Sequence, residues 1–315
     1  MKHIKTKSLL NHMPEEHKSI FNKANTAIAL GNFDGFHKGH MQLINFSKAY
    51  AKEHGLVSVL FSTTPSTSEF LGRPKKVILE DKKEFIEKFK LCDIFVEYFL
   101  DDEFINTSPI NFLLMLKNKL NVKAIIVGEN YRFGKNAAGK IFDIEKFSKE
   151  NDIYFKAVGL LEEASKIVCS TSIRNFIEQG DIEKANAFLG YNFFTKGIVT
   201  PTDGRGSSIG FPTANINLKE KLIIPKFGVY ITKTILVSGE SLPSVTNVGM
   251  KPTFEVELPQ IETHILDKNI NLYGEEIKVE FHKKIRDTIK FASLEDLIKQ
   301  LKLDVQTAKN FFNIL

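Results

Sequence analysis

The sequence predicts a chain of two domains: an α/β unit built on a parallel sheet, then a small β-barrel with a terminal helix. Three observations lead there. The chain has 315 residues, more than one hydrophobic core ordinarily organises. From about residue 25 to 160, short apolar runs alternate with helix-patterned stretches, which requires crossover connections and hence parallel strands. After about Tyr191 short alternating strands take over, punctuated by glycine and by six of the ten prolines, as in a small barrel. The boundary is expected near residue 190, giving domains over 1–190 and 191–315.

Taken in order, Ala27-Ile28-Ala29-Leu30 reads as a buried strand, and Met41 to His54 as a helix that stops before Gly55. Val57-Ser58-Val59-Leu60-Phe61 is the next buried strand. A lysine-rich helix over Asp81 to Leu91 leads to the short strand Ile94-Phe95-Val96. A helix from Pro109 to Leu120, the strand Ala124-Ile125-Ile126-Val127, a helix from Ile141 to Glu150 and the strand Tyr154 to Val158 follow. Helical segments Ser172 to Gln179 and Asp181 to Leu189 close this half. In the second half, strands are expected from Gly197, over Phe227 to Ile231, Gln260 to Leu266 and Ile277 to Phe281. Ser293-Leu294-Glu295-Asp296 opens a capped helix that runs towards Leu315.

Composition narrows the function classes. Hydrophobic residues make up 43% and charged residues 26%, the balance of a globular protein. No apolar run approaches the roughly 18 residues that cross a bilayer, so no membrane association is expected. Met1-Lys2-His3-Ile4-Lys5 leads into Asn11, His12, Glu15 and Glu16, which is no secretory signal core. Cys92 and Cys169 lie far apart without a CxxC partner, so a reducing cytoplasm is expected and a zinc site is not. The net charge of +5 is spread as lysines mixed with acids, as in Lys82-Lys83-Glu84, without an aromatic RNA-binding signature. Nucleic acid is therefore not an expected partner. Arginine behaves differently: apart from Arg73, Arg132, Arg174, Arg205 and Arg286 all fall inside the motifs below, where a planar phosphate ligand is useful.

The strongest local signal is Gly31-Asn32-Phe33-Asp34-Gly35-Phe36-His37-Lys38-Gly39-His40, directly after a buried strand and at a helix start. Two imidazoles three residues apart at a helix N-terminus face the same way. The backbone N–H groups and helix dipole there favour phosphate, and glycines at 31, 35 and 39 let a nucleotide approach the backbone. Neither GxGxxG nor GxxxxGK[ST] occurs. An isolated His-x-x-His is more often a surface pair or half a metal site; the strand, glycines and helix start around it make that reading improbable.

This decad resembles the nucleotidyltransferase signature of the bacterial bifunctional riboflavin kinase/FMN adenylyltransferases, the FAD synthetases, and the resemblance covers essentially the whole chain. Val127-Gly128-Glu129-Asn130-Tyr131-Arg132-Phe133-Gly134 resembles the family's flavin-side loop, and Ser170-Thr171-Ser172-Ile173-Arg174 its second phosphate motif. The resemblance implies a Rossmann-like nucleotidyltransferase domain over 1–190 and a riboflavin kinase barrel over 191–315. It implies that Gly31, Phe33, Asp34, Gly35, Gly39, Ser170 and Thr171 bind ATP, and that His37 and His40 contact the triphosphate. Arg174 then holds the departing pyrophosphate side, and Asn130 and Tyr131 lie on the flavin side. In adenylyl transfer the FMN phosphate attacks the α-phosphorus of ATP with little proton transfer, so positioning and charge stabilisation carry the catalysis. One stretch departs from the family: its Phe-Asp-Pro-His-Pro is here Phe61-Ser62-Thr63-Thr64-Pro65, which implies an altered flavin end. Cys169 also replaces a more usual serine.

The second constellation runs from Asp203-Gly204-Arg205-Gly206 through Gly210-Phe211-Pro212-Thr213-Ala214-Asn215. Glycine-rich loops alone are weak evidence, but Pro-Thr-Ala-Asn resembles the family's riboflavin kinase motif. Thr213 and Asn215 offer oxygen two residues apart, on one side of an extended segment, which suits Mg²⁺. By the resemblance Gly210, Pro212, Thr213 and Asn215 bind ATP, Thr213 and Asn215 hold the metal, and Arg286 lies on the flavin. Thr202 stands where the family usually has a glycine. Gly228-Val229-Tyr230, Asn247-Val248-Gly249, Pro252-Thr253-Phe254 and Leu272-Tyr273-Gly274 are further matches. Glu262 and His264 share one face of Ile261-Glu262-Thr263-His264. Periodicity alone reads Glu262 as a solvated edge residue; the resemblance makes it the catalytic base.

The expected function is thus ATP- and Mg²⁺-dependent phosphorylation of riboflavin to FMN and adenylylation of FMN to FAD, with small molecules as the partners. One alternative, kept open by Ser62-Thr63-Thr64, is a riboflavin kinase with weak or lost adenylylation. Another is a basic binding protein without catalysis, against which Glu262 and the two histidines argue. Oligomeric state is not legible in the chain.

Overall fold

The computed structural model describes residues 1–7, 14–72, 76–201, 205–217, 221–251 and 258–314. Arg73, the Thr202-Asp203-Gly204 part of the glycine-rich loop and Pro252-Thr253-Phe254 lie outside the described residues. The chain divides into two compact units, Met1–Cys169 and Ser170–Leu315.

The first unit runs β1 (Lys2–Thr6), α1 (Glu15–Phe21), β2 (Thr26–Leu30), α2 (Lys38–Glu53), β3 (Val57–Thr64), α3 (Thr67–Phe70), α4 (Lys82–Phe89), β4 (Ile94–Phe99) and α5 (Asp102–Ile105). It continues through α6 (Pro109–Leu120), β5 (Val122–Gly128), α7 (Ile141–Glu150), β6 (Tyr154–Val158) and the short hairpin β7 (Glu162–Glu163) and β8 (Lys166–Ile167). Six strands form one parallel sheet in the order β1-β4-β3-β2-β5-β6. All five residues of β2 are buried, which is why it reads as an unbroken apolar run. The chain moves outward from β2 to β3 and β4, then returns to lay β5 on the other side of β2. The carboxyl ends of β2 and β5 therefore flank a topological switch point, where open α/β sheets bind ligands. Edge strand β1 was not expected: Lys-His-Ile-Lys-Thr shows too short an alternation, and pairing with β4 makes it a strand.

Helix α2 begins at Lys38, earlier than its apolar period suggests. His37 caps it, its Nδ1 accepting the His40 N–H at 3.3 Å. Histidine is an uncommon cap, so the start is hidden in the sequence. Helices α4 and α6 carry ordinary caps, Asp81 and Ser108, whose side chains accept the Glu84 and Asn111 N–H groups.

The second unit runs α8 (Ser170–Gln179), α9 (Ile182–Leu189), β9 (Phe194–Thr200), α10 (Arg205–Ser208), β10 (Ala214–Asn217), β11 (Gly228–Ile235), β12 (Ser241–Lys251), β13 (Leu258–Ile265), β14 (Glu276–Arg286) and α11 (Leu294–Phe312). Its six strands close a barrel in the order β10-β13-β12-β11-β14-β9. Helices α8 and α9 pack with the barrel. The Lys226 N–H donates to the Ile177 carbonyl at 3.1 Å, and the Asn186 amide donates to the Phe281 carbonyl at 2.8 Å. The compact units accordingly meet at 169/170 rather than at 190.

Inside the barrel lies a closed ring of five buried hydroxyls. Thr232 contacts Ser244 at 2.8 Å and Thr246 at 2.7 Å, Thr246 donates to Thr263 at 2.8 Å, Thr263 contacts Thr234 at 3.2 Å, and Thr234 donates to Ser244 at 3.0 Å. All five residues have no exposed surface. On the outside, α11 covers Val229, Ile231, Val245 and Leu266 with Ala308. It is tied down where Asp304, 1% exposed, accepts from Arg286 Nη2 at 2.8 Å and from Nε at 3.1 Å.

Candidate active sites

In the first unit, the turn after β2 is built by burial. Phe33, in the left-handed region at φ 49°, and Phe36 are both buried. The Asp34 carboxylate is 5% exposed and accepts the Ile78 N–H at 2.9 Å, so it fastens the turn to the segment before α4. Gly35 has φ +78°, and a Cβ there would meet Ile78 at 2.9 Å, so only glycine fits. The result brings the two histidines together: their rings stack with centroids 3.6 Å apart. Because His37 Nδ1 accepts a backbone N–H, the neutral ring carries its proton on Nε2, a donor suited to a phosphate oxygen. Desolvation, then the neighbouring His37 and Lys82, hold His40 well below the usual histidine range, so it is neutral at pH 7. Its buried Nδ1 has no hydrogen-bond partner among the described residues.

Across the switch point, the turn after β5 is closed by the Tyr131 N–H donating to the Gly128 carbonyl at 2.9 Å. Asn130 is exposed on it, and Tyr131 packs beside Phe133 at 5.9 Å, with burial pushing its phenol up. The tip of β3 supplies Ser62, whose hydroxyl donates to the Asn32 carbonyl at 3.1 Å. The Lys82 amine donates to Ser62 Oγ at 3.0 Å and to Asn32 Oδ1 at 3.3 Å.

In the second unit, Ser170, Thr171 and Arg174 lie in the first turns of α8, with Arg174 Nη2 reaching Thr171 Oγ1 at 3.5 Å. The barrel places the kinase residues by register. Asn215 of β10 stands opposite Glu262 of β13, and Glu262 opposite Asn247 of β12. Directly paired residues share a face, so Asn215, Glu262 and Asn247 form one row, with Asn247 Nδ2 reaching Glu262 Oε2 at 3.5 Å. The Asn215 Nδ2 also donates to Thr213 Oγ1 at 3.2 Å, which ties Thr213 to one end of that row. His264 is committed elsewhere: its Nδ1 contacts the Pro212 carbonyl at 2.8 Å and so pins the Pro-Thr-Ala-Asn segment. Gly210 precedes that segment at φ +88°. A cavity of about 230 Å³ opens next to it, lined by Pro212, Thr213, Ile270, Asn271, Leu272 and Tyr273 among others. Arg286, expected on the flavin, has its guanidinium engaged by Asp304, with Phe291 5.9 Å from it.

Two family models match the chain: FAD synthetase over residues 19–172 and riboflavin kinase over residues 189–312. The bifunctional riboflavin kinase/FMN adenylyltransferase of Bacillus subtilis (strain 168) is 37% identical, over 96% of this chain and 98% of its own. The chain belongs to the bifunctional riboflavin kinase/FMN adenylyltransferase family. The relative of the same description from Listeria monocytogenes is 36% identical over 91% of this chain and 93% of its own; that of Escherichia coli (strain K12) is 31% identical over 91% and 93%. Among solved structures, one titled a macrolide-efflux protein from Streptococcus pneumoniae has a TM-score of 0.86 and 26% identity. It covers 98% of this chain and 99% of its own. No helix among the described residues of the present chain is long and apolar enough to cross a membrane.

Within this bifunctional family's frame, three residues carry no local sequence signal for their contacts. Asn247 stands out only as part of a motif, because nothing but strand register shows that it flanks Glu262. Lys82 reads as one lysine of a solvated helix, and its inward reach depends on the β3 tip. Asp304 sits mid-helix with no local sign of its distant arginine.

Proposed function

We propose that the two units act in series on one flavin: riboflavin becomes FMN at the barrel, and FMN becomes FAD at the switch-point crevice of the sheet. The observation that carries this reading is the row Asn215-Glu262-Asn247, a carboxylate set between two carboxamides in the unit that matches riboflavin kinase. At that row Glu262 takes the proton of the riboflavin 5′-hydroxyl as its oxygen bonds to the γ-phosphorus of ATP, and the bond to ADP breaks. Thr213 and Asn215, joined by the Asn215 Nδ2 donating to Thr213 Oγ1 at 3.2 Å, offer a hydroxyl and an amide oxygen of the kind that suits Mg²⁺, which ordinarily fills its remaining positions with water and phosphate oxygens. The metal supplies charge neutralisation on the phosphates. The cavity beside Pro212 and Leu272-Tyr273 suits the nucleotide. His264 is a positioning residue for Pro212, and Arg286 is one for α11.

In the first unit a phosphate oxygen of FMN attacks the α-phosphorus of ATP, a P–O–P link forms and pyrophosphate leaves. No base is required. His37 through Nε2–H and neutral His40 stabilise the triphosphate by hydrogen bonds rather than by full charge. Gly31, Phe33, Asp34, Gly35 and Gly39 shape the turn that admits it. Asn130 and Tyr131 face the flavin side; for Ser170, Thr171 and Arg174, which open the second unit, the pyrophosphate role rests on the resemblance alone. The domain assignment of 1–190 and 191–315 is kept as a functional division. Neither Cys92 nor Cys169 forms a disulfide among the described residues, which fits a reducing cytoplasm. Incubation with ATP, Mg²⁺ and riboflavin, followed by chromatography of the flavins, tests the reading. FAD is the expected product, FMN alone removes the adenylyl half, and unchanged riboflavin removes both.

A further inference from the structure

Lys82 opens α4, and its side chain runs back to the tip of β3. Its amine has only neutral partners there, Ser62 Oγ at 3.0 Å and Asn32 Oδ1 at 3.3 Å. Among the described residues no carboxylate lies within the 4.0 Å of an ion pair. Asp34 and Glu97 act on the amine from farther away and are otherwise engaged: Asp34 by the Ile78 N–H, Glu97 by His3 at 3.0 Å and Thr64 at 2.8 Å. Burial outweighs those two carboxylates and brings the amine down to about 8. The charge is also felt by His40, which it pushes towards the neutral form.

A lysine ammonium has three N–H donors, and Ser62 and Asn32 take two. The third belongs to a partly dehydrated cation at the carboxyl ends of β2 and β3, beside the turn whose His37 presents a donor. Such a charge gains most from an anion that replaces its lost hydration. We propose that Lys82 binds a phosphate oxygen of the nucleotide held at the His37–His40 turn. The inference rests on reading that turn as the adenylyl-transfer site. It gives the turn a full positive charge that the neutral histidines do not provide.

The test compares wild type, Lys82→Met and Lys82→Arg as full chains, by titration calorimetry with Mg-pyrophosphate between pH 7 and 9. Losing a charge-assisted hydrogen bond should weaken pyrophosphate binding by roughly ten-fold or more in Lys82→Met at pH 7. Lys82→Arg should bind within a few-fold of wild type. As pH rises through about 8 the lysine discharges, so wild type should weaken relative to Lys82→Arg, which meets the same ligand ionisation. In FMN-to-FAD assays Lys82→Met should raise KM for ATP more than it lowers kcat, while riboflavin phosphorylation stays unchanged. Unaltered pyrophosphate affinity in a Lys82→Met protein with wild-type thermal unfolding overturns the proposal. A wild type that makes no FAD, yet loses pyrophosphate affinity on Lys82→Met, overturns the adenylyl-transfer reading and leaves Lys82 in its place.

Discussion

Glu262 owes its position to pairing on both sides, with Asn215 and Asn247 as cross-strand neighbours. Glu262→Gln keeps that shape but cannot accept a proton. A general base contributes about 10²–10⁴-fold, so kcat for FMN formation should fall by roughly two orders of magnitude, with a smaller change in substrate binding. FAD synthesis from supplied FMN should survive. A variant that phosphorylates riboflavin within a few-fold of wild type returns Glu262 to the role of an edge residue. His264 is then the next candidate, since donating its Nδ1–H to the Pro212 carbonyl leaves its Nε2 lone pair to accept a proton. The reciprocal change, His37→Ala with His40→Ala, should abolish FMN-to-FAD conversion and spare riboflavin phosphorylation. Because His37 also caps α2, circular dichroism must show the helix content intact before a lost activity is ascribed to the ligand.

At the scale of elements, the terminal helix shows what long-range contacts add. Deleting the carboxylate in Asp304→Ala leaves the Arg286 guanidinium, 15% exposed, without its partner. Breaking a buried pair of this kind costs about 3 kcal/mol, to be read as an earlier urea midpoint for the second unit. His282 faces the same helix, its ring edge-on to Phe311 and Phe312 at 6.0 and 5.5 Å. Burial first, then Lys233, lowers its pKa, while Glu280 opposes. Its folded pKa lies below the unfolded value of about 6.5, so the neutral form's stabilisation is complete above that value and is lost as pH falls towards the folded pKa. Thermal unfolding should therefore drop below pH 6.5 and drop less in His282→Phe; equal slopes in the two proteins dismiss the histidine. The sequence made the buried strands and β2 turn visible because strands covered on both faces are uniformly apolar. It hid β12, whose inward residues Ser244 and Thr246 are polar, and β1, which exists only through β4. The motif around Arg286 implies a flavin contact, and only the fold reveals Asp304 as its partner. The histidine pair was legible as local spacing; the Asn215-Glu262-Asn247 row, set by register between distant segments, needed the resemblance.

For the whole molecule, the product of one unit is the substrate of the other, and both reactions move phosphorus centres crowded with negative charge. Removing divalent cations with EDTA should abolish FMN formation, and excess Mg²⁺ should restore it. Kinase activity that persists in metal-free buffer rejects Thr213 and Asn215 as ligands. FAD formation from riboflavin should fail with either site, and FAD formation from FMN with the first alone. That asymmetry assigns each chemical step to its unit without dividing the chain.

The hydroxyl ring inside the barrel has a consequence for how faithfully the second unit assembles. Five O–H groups donate to five oxygens around one circuit, so the ring can close with every donor used in a single rotational sense. A slip of one residue in β11, β12 or β13 breaks the circuit and turns each side chain to the opposite face. In β13 that slip would carry Glu262 into the interior. The ring thus favours one register: a mispaired barrel leaves hydroxyls stranded away from water, a cost that the correct pairing does not carry.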